Sequence, residues 1–173
     1  IHEVLERFVI ETATGLGPDP MSHLLNTADA VFAAKVPWPA VRQMWRAKLA
    51  RAAPWFIETE IARRAEGGPL SLAGKVAIEK TVHAVLDTPE FRLEGRIDRV
   101  DQLHDGRLVL YDYKTGSLPT PNQETHFNKQ LPLLAAMVYK TGIDGQTGFQ
   151  IARTSYIGLG SNPKESAKPV TDL

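Results

Sequence analysis

Glu94-Gly95-Arg96-Ile97-Asp98-Arg99-Val100-Asp101 and, one turn later, Leu108-Val109-Leu110-Tyr111-Asp112-Tyr113-Lys114-Thr115-Gly116 decide the reading of this chain. Both runs are rich in aliphatic and aromatic residues, and Asp105-Gly106 lies between them, so they read as an antiparallel hairpin. With His104, Asp105 and Gly106 as a three-residue loop and Gly106 in the left-handed position, Leu103 faces Arg107. Counting back along both strands then sets Asp98 opposite Asp112. Side chains alternate across a strand, so Asp112 and Lys114 share a face, and Leu108 and Leu110 precede them on it. Charges that continue an apolar stripe point to a cleft.

Directly opposed residues hold their Cβ atoms about 4.5 to 5.5 Å apart, where two bare carboxylates repel. A hard divalent cation resolves the conflict, and oxygen donors without cysteine suit Mg²⁺ or Mn²⁺, with water and a substrate phosphate completing the shell. Lys114 beside the pair is placed to orient or deprotonate water and to stabilise charge on a phosphoryl group. Two acids and a lysine of this kind suit phosphodiester hydrolysis. Spacing alone supports a second account equally: Arg96 faces Lys114 in the same register, so Arg96, Asp98, Asp112 and Lys114 can form a neutral ladder of salt bridges.

Outward from the hairpin, the N-terminal part is helical. Ile1, Val4, Leu5, Phe8, Val9 and Thr12 form one apolar stripe, predicting a helix over 1–14 that ends near Gly15 and Gly17. Asp19-Pro20 is a cap followed by a first helical residue, opening a second helix to about Lys35. Pro39 opens a third helical stretch to about Ala65, which Pro54 is expected to kink or split into two helices. Residues 72–85, 91–103 and 107–113 read as three consecutive strands. A polar loop over 116–128, an apolar helix over 130–140 and a strand over 149–156 follow, so a helix crosses between two strands. The expected fold is α/β, a mixed β-sheet flanked by helices, over residues 1–158. Gly, Ser, Pro and Lys dominate 159–173, which suggests a flexible tail or truncated edge.

Composition narrows the function. The 173 residues are 43% hydrophobic and 23% charged, enough for one core, and no apolar run reaches the ~20 residues of a membrane span. Without cysteine there is no disulfide, thiolate zinc site or iron–sulfur cluster in this segment. Twenty basic residues balance twenty acidic ones, so attraction to nucleic acid must come from local charge. The start at Ile1 within a helical pattern, without a signal sequence, suggests a segment of a longer, cytoplasmic protein. No Gly-x-Ser-x-Gly elbow, complete phosphate loop or His-Glu-x-x-His pair supports another hydrolase class.

Asp98 with Asp112-x-Lys114 resembles the metal-binding core of the PD-(D/E)xK nuclease superfamily, and the two runs quoted above resemble its RecB-type branch. Ile1-His2-Glu3-Val4-Leu5-Glu6 is similar to that branch's upstream His-x-x-Leu-Glu helix, and Gln130-Leu131-Pro132-Leu133-Leu134 to its glutamine-bearing helix. The wording is nearest to the C-terminal nuclease module of the AddB subunit of AddAB helicase–nucleases. The resemblance implies a restriction-endonuclease-like core in which His2, Asp98, Asp112 and the Tyr113 backbone carbonyl hold Mg²⁺ or Mn²⁺. It further implies that Lys114 is catalytic, that Gln130 positions the phosphate or the lysine, and that Leu5 and Glu6 support the helix carrying His2. The implied activity is exonucleolytic cleavage of DNA, fed as single-stranded ends, in double-strand-break repair and recombination. The implied partners are a helicase–nuclease subunit and the rest of the same chain.

Other residues invite weighing. On spacing alone His2 is an ordinary helix-start histidine; the resemblance makes it a ligand. Arg42, Arg46, Lys48, Arg51, Arg63 and Arg64 can track a phosphate backbone, although a solvated helix face paired with Glu58 and Glu60 explains them more simply. Trp45 and Trp55 suit helix packing, whereas Trp38, between two prolines, is the candidate for an exposed, base-stacking ring. His126, in the loop before Gln130, is a candidate DNA contact.

Overall fold

The computed structural model describes residues 1–87, 90–120, 122–123 and 128–171. Three helices, α1 (His2–Glu11), α2 (Pro20–Lys35) and α3 (Pro39–Glu66), precede the sheet. Asp19 caps α2 as its sequence demands, its carboxylate accepting from Ser22 N at 3.0 Å. The expected break at Pro54 does not occur: α3 is one helix of 28 residues. Pro54 lies on the exposed side, where water can satisfy the Ala50 carbonyl that loses its amide partner. The buried stripe Leu49, Ala52, Ala53, Phe56 and Ile57 runs past the proline and holds both halves to one core.

The strands are β1 (Gly67–Pro69), β2 (Ser71–Leu72), β3 (Lys75–Val76), β4 (Ile78–Asp87), β5 (Glu90–Leu103), β6 (Leu108–Lys114), β7 (Ile151–Gly158) and β8 (Lys164–Pro169), with α4 (Gln130–Thr141) between β6 and β7. The region expected as one strand over 72–85 is divided. Ala73 and Gly74, with φ of +49° and +77°, turn β2 back on β3 as a two-residue hairpin, and β4 begins after it. The main sheet runs β1-β5-β6-β7-β8, with β4 also paired to β5. β6 and β7 are parallel, joined by the α4 crossover, and the other pairings are antiparallel, so the sheet is mixed as expected. Within 159–173, expected as a flexible tail or truncated edge, Lys164–Pro169 form β8 along β7. No helix among the described residues is long and apolar enough to cross a membrane.

Two apolar clusters sandwich the sheet. Val109, Tyr111 and Tyr113 pack with Leu5, Phe8, Leu24 and Phe56 of α1–α3. Leu108 and Leu110 pack with Leu131, Leu134 and Val138 of α4. Period-2 alternation along β6 therefore delivers alternate side chains to opposite layers.

Candidate active site at the end of β6

The hairpin register agrees with the count from sequence. Arg99 pairs with Tyr111 and Gln102 with Leu108, Leu103 N bonds Arg107 O at 2.8 Å, and Gly106 turns the loop at φ +88°. Asp98 opposite Asp112 is the next step of that count, and there the backbone ladder stops. Along β5, Leu93 and Ile97 pack on the α4 side, whereas Arg99 reaches Glu60 on α3, so the alternation shifts by one residue at Asp98. The Asp98 carboxylate takes over the ladder's role, Oδ2 accepting from Tyr113 N at 2.8 Å.

Asp112 continues the Leu108-Leu110 stripe and is only 4% exposed. Its Oδ1 accepts from Gln130 Nε2 at 3.0 Å, which the first residue of α4 supplies. Its Oδ2 forms an ion pair with Lys114 Nζ at 2.5 Å and has no hydrogen-bond donor among the described residues. Burial pushes the Asp112 carboxyl above the usual aspartate range; Lys114 draws it down, and Asp98 pushes it further up. Lys114 sits over the Tyr156 ring, 5.7 Å from its centroid.

Tyr113 links the two faces. Its carbonyl accepts from His2 Nε2 at 2.7 Å, which brings the start of α1 onto the site, and its hydroxyl accepts from Arg99 at 3.3 Å. Arg99 is wholly buried, donating to Glu60 on α3 and to Asp101 on its own strand. Burial opposes ionisation of Glu60, but Arg99, Arg63 and Arg64 overcome it and hold the carboxyl at about 2. An ionic layer thus ties β5, which carries Asp98, to α3 and to the Tyr113 hydroxyl of β6.

The donor set suits a hard divalent ion: two neighbouring carboxylates, of which Asp112 presents a buried Oδ2 without a hydrogen-bond donor among the described residues, and a peptide carbonyl. Lys114 occupies the cation's place in the charge balance. Among the described residues, no group of three or more His, Asp or Glu side chains is placed to hold a metal ion by itself.

Contacts thus link His2 and Asp98 to the Tyr113 backbone, and Gln130 and Lys114 to Asp112, with Leu5 on the buried face of α1. Glu6 is half-buried, its carboxyl raised by burial and by Glu79 and Glu3. The four-residue ladder does not form, because Arg96 pairs with Glu79 at 2.8 Å. Trp38 is 66% exposed, as its flanking prolines suggested, and Trp55 packs against the α1–α3 core. Arg42 donates to Val36 O and Pro37 O, and Arg46 to Asp29, so both have partners within the fold. His126 lies outside the described residues. Two neighbours escaped the sequence reading. Lys48 of α3 donates to Thr115 O at 2.9 Å, and nothing in the basic run singles it out. Glu79 stands across from Asp98 with φ +51°, a left-handed conformation uncommon for a residue with a side chain.

No curated protein matches this chain. A solved structure, the crystal structure of SSO0001, aligns over 97% of this chain and 68% of its own at 10% identity and a TM-score of 0.40. The family profile of the PD-(D/E)XK nuclease superfamily matches residues 1–172. With the profile spanning nearly every residue of the fold, the chain belongs to the PD-(D/E)XK nuclease superfamily.

Proposed function

We propose that this chain is a Mg²⁺- or Mn²⁺-dependent deoxyribonuclease, an exonuclease module of a cytoplasmic helicase–nuclease of the AddB type acting in double-strand-break repair and recombination. Membership of the nuclease superfamily supports hydrolysis of phosphodiester bonds. The observation that carries it is the meeting of Asp98, Asp112 and Lys114 at the end of β6, with Gln130 on Asp112 and His2 on the Tyr113 carbonyl.

When bound, the divalent ion supplies Lewis acidity and positive charge at the scissile phosphate. His2, Asp98, Asp112 and the Tyr113 carbonyl are the groups that would hold it. Gln130 fixes the Asp112 carboxylate in orientation. Asp98 and His2 pin the Tyr113 peptide at its N–H and its C=O, so the lysine that follows projects from a main chain held at both ends. Lys114 Nζ stands beside Asp112, from where the amine would orient or, as the free base, deprotonate the attacking water, and the ammonium would stabilise charge developing on the phosphoryl oxygens.

The pairing of Lys114 with Asp112 and the lack, among the described residues, of three His, Asp or Glu side chains placed to hold a metal ion by themselves favour a second reading, a DNA-binding or subunit-docking module without turnover. DNA degradation separates the two. The nuclease requires Mg²⁺ or Mn²⁺, stops with chelator, and loses activity in Asp112→Ala and Lys114→Ala with the fold intact. Retardation of DNA without cleavage in either metal would select the binding module.

A further inference from the structure

The six basic residues of α3 are sorted by the fold. Arg63 and Arg64 are drawn into the buried layer around Glu60, Arg42 braces the chain before the helix, and Arg46 pairs with Asp29 at 2.7 Å. Lys48 and Arg51 remain, and neither forms an ion pair among the described residues. They lie on one face with Met44, at spacings of four and seven residues from it, and with Trp45 alongside.

That face lines a depression of about 600 Å³, which also reaches His2 and Thr115. A second depression of about 450 Å³ shares Lys48 and Thr115 and continues past Gly116 and Gly160 to Lys164. The two meet where Lys48 bonds Thr115 O, one residue beyond Lys114. Neither is lined by Asp112 or Lys114, and the first reaches the site only at His2, so together they form a trough running beside it. Trp45 is 37% exposed and stands at right angles to Phe32, 5.9 Å between centroids, so its indole is both accessible and held in orientation. The carboxylate in the trough, Glu3, lies 3.4 Å from Lys35.

We propose that this trough is a track for a single-stranded polynucleotide, with Trp45 stacking a base and Lys48, Arg51 and Lys164 contacting successive phosphates beside the cleavage site. The inference rests on the nuclease reading in taking a nucleic acid as ligand. A ribbon of positive charge with one fixed aromatic surface suits a flexible strand whose bases are exposed.

The test is binding of fluorescent oligodeoxythymidylate and oligouridylate to the protein in EDTA, where nothing is cleaved, at several salt concentrations. Trp45→Ala should weaken binding at least about fivefold. Lys48→Gln with Arg51→Gln, which leaves a donor toward Thr115 O, should flatten the log–log salt slope by about 1.4. The tighter of the two oligonucleotides identifies the sugar. Wild-type affinity and slope in these variants, or no binding by the wild type, would overturn the track. If the wild type degrades DNA while the variants bind normally, the track fails and the nuclease reading stands. If the predicted losses occur in a protein that cleaves nothing, the track stands and the nuclease reading fails.

Discussion

Replacing Glu60 with glutamine tests how much the buried ionic layer contributes to the fold. Glu60 is fully buried and accepts four hydrogen bonds from three guanidinium groups, at 2.7 and 3.0 Å from Arg99, 3.1 Å from Arg63 and 2.7 Å from Arg64. Its carboxyl titrates at about 2 in the fold against 4.5 ordinarily. A carboxylate held below its ordinary value stabilises the folded state above that value and loses the contribution as pH falls through the folded one. A gap of about 2.5 pH units corresponds to about 3 kcal/mol. Glu60→Gln keeps the shape and removes the charge, so at pH 7 denaturant unfolding should give a stability lower by about 3 kcal/mol, or a melting temperature lower by about 10 °C. Between pH 4.5 and about 2 the wild type should lose this advantage, and the two unfolding curves should converge, because protonated glutamic acid then resembles glutamine. Equal stability at pH 7, or a gap that persists unchanged to pH 2, would refute the account.

Three other outcomes follow from the geometry. Asp112→Asn and Lys114→Ala should each lower DNA degradation at least about hundredfold with unchanged circular dichroism, and EDTA should abolish the activity that Mn²⁺ restores. Gln130→Ala removes the 3.0 Å bond that orients Asp112 and should lower the rate roughly tenfold, while Gln130→Glu, which sets a further carboxylate against Asp112, should lower it more; steady-state cleavage of labelled DNA reads both. Gly142→Ala should destabilise by more than about 2 kcal/mol, because a Cβ there would lie 1.8 Å from the Gln146 carbonyl oxygen at φ +80°. Gly145→Ala, with φ +79° and open space, should cost about 1 kcal/mol, and thermal unfolding compares the two.

The hairpin and its register were legible because three local signals agree: period-2 alternation, an Asp-Gly turn and a glycine able to take positive φ. The same alternation placed Asp112 on the apolar stripe that the structure buries under α4. What the sequence could not disclose was the continuity of α3 through Pro54, which depends on a buried face recognisable only once the sheet is in place. The division of 72–85 turned on Ala73 accepting a left-handed conformation, which alanine does not advertise. Nor could spacing separate Lys48 from Arg42 and Arg46. Their difference is which partner the fold brings near: Asp29 and Val36 lie on α2 and its C-terminal flank, whereas Thr115 follows β6.

The bond between His2 and the Tyr113 carbonyl closes a loop of 111 residues. Local helices can form early, but this contact must await the docking of the helical layer on a sheet assembled from much later chain. The spatial relation of the N-terminal helix to the end of β6 is therefore a property of the finished tertiary structure: a half-folded chain holds Asp98, Asp112 and Lys114 yet lacks the clasp that ties α1 to them.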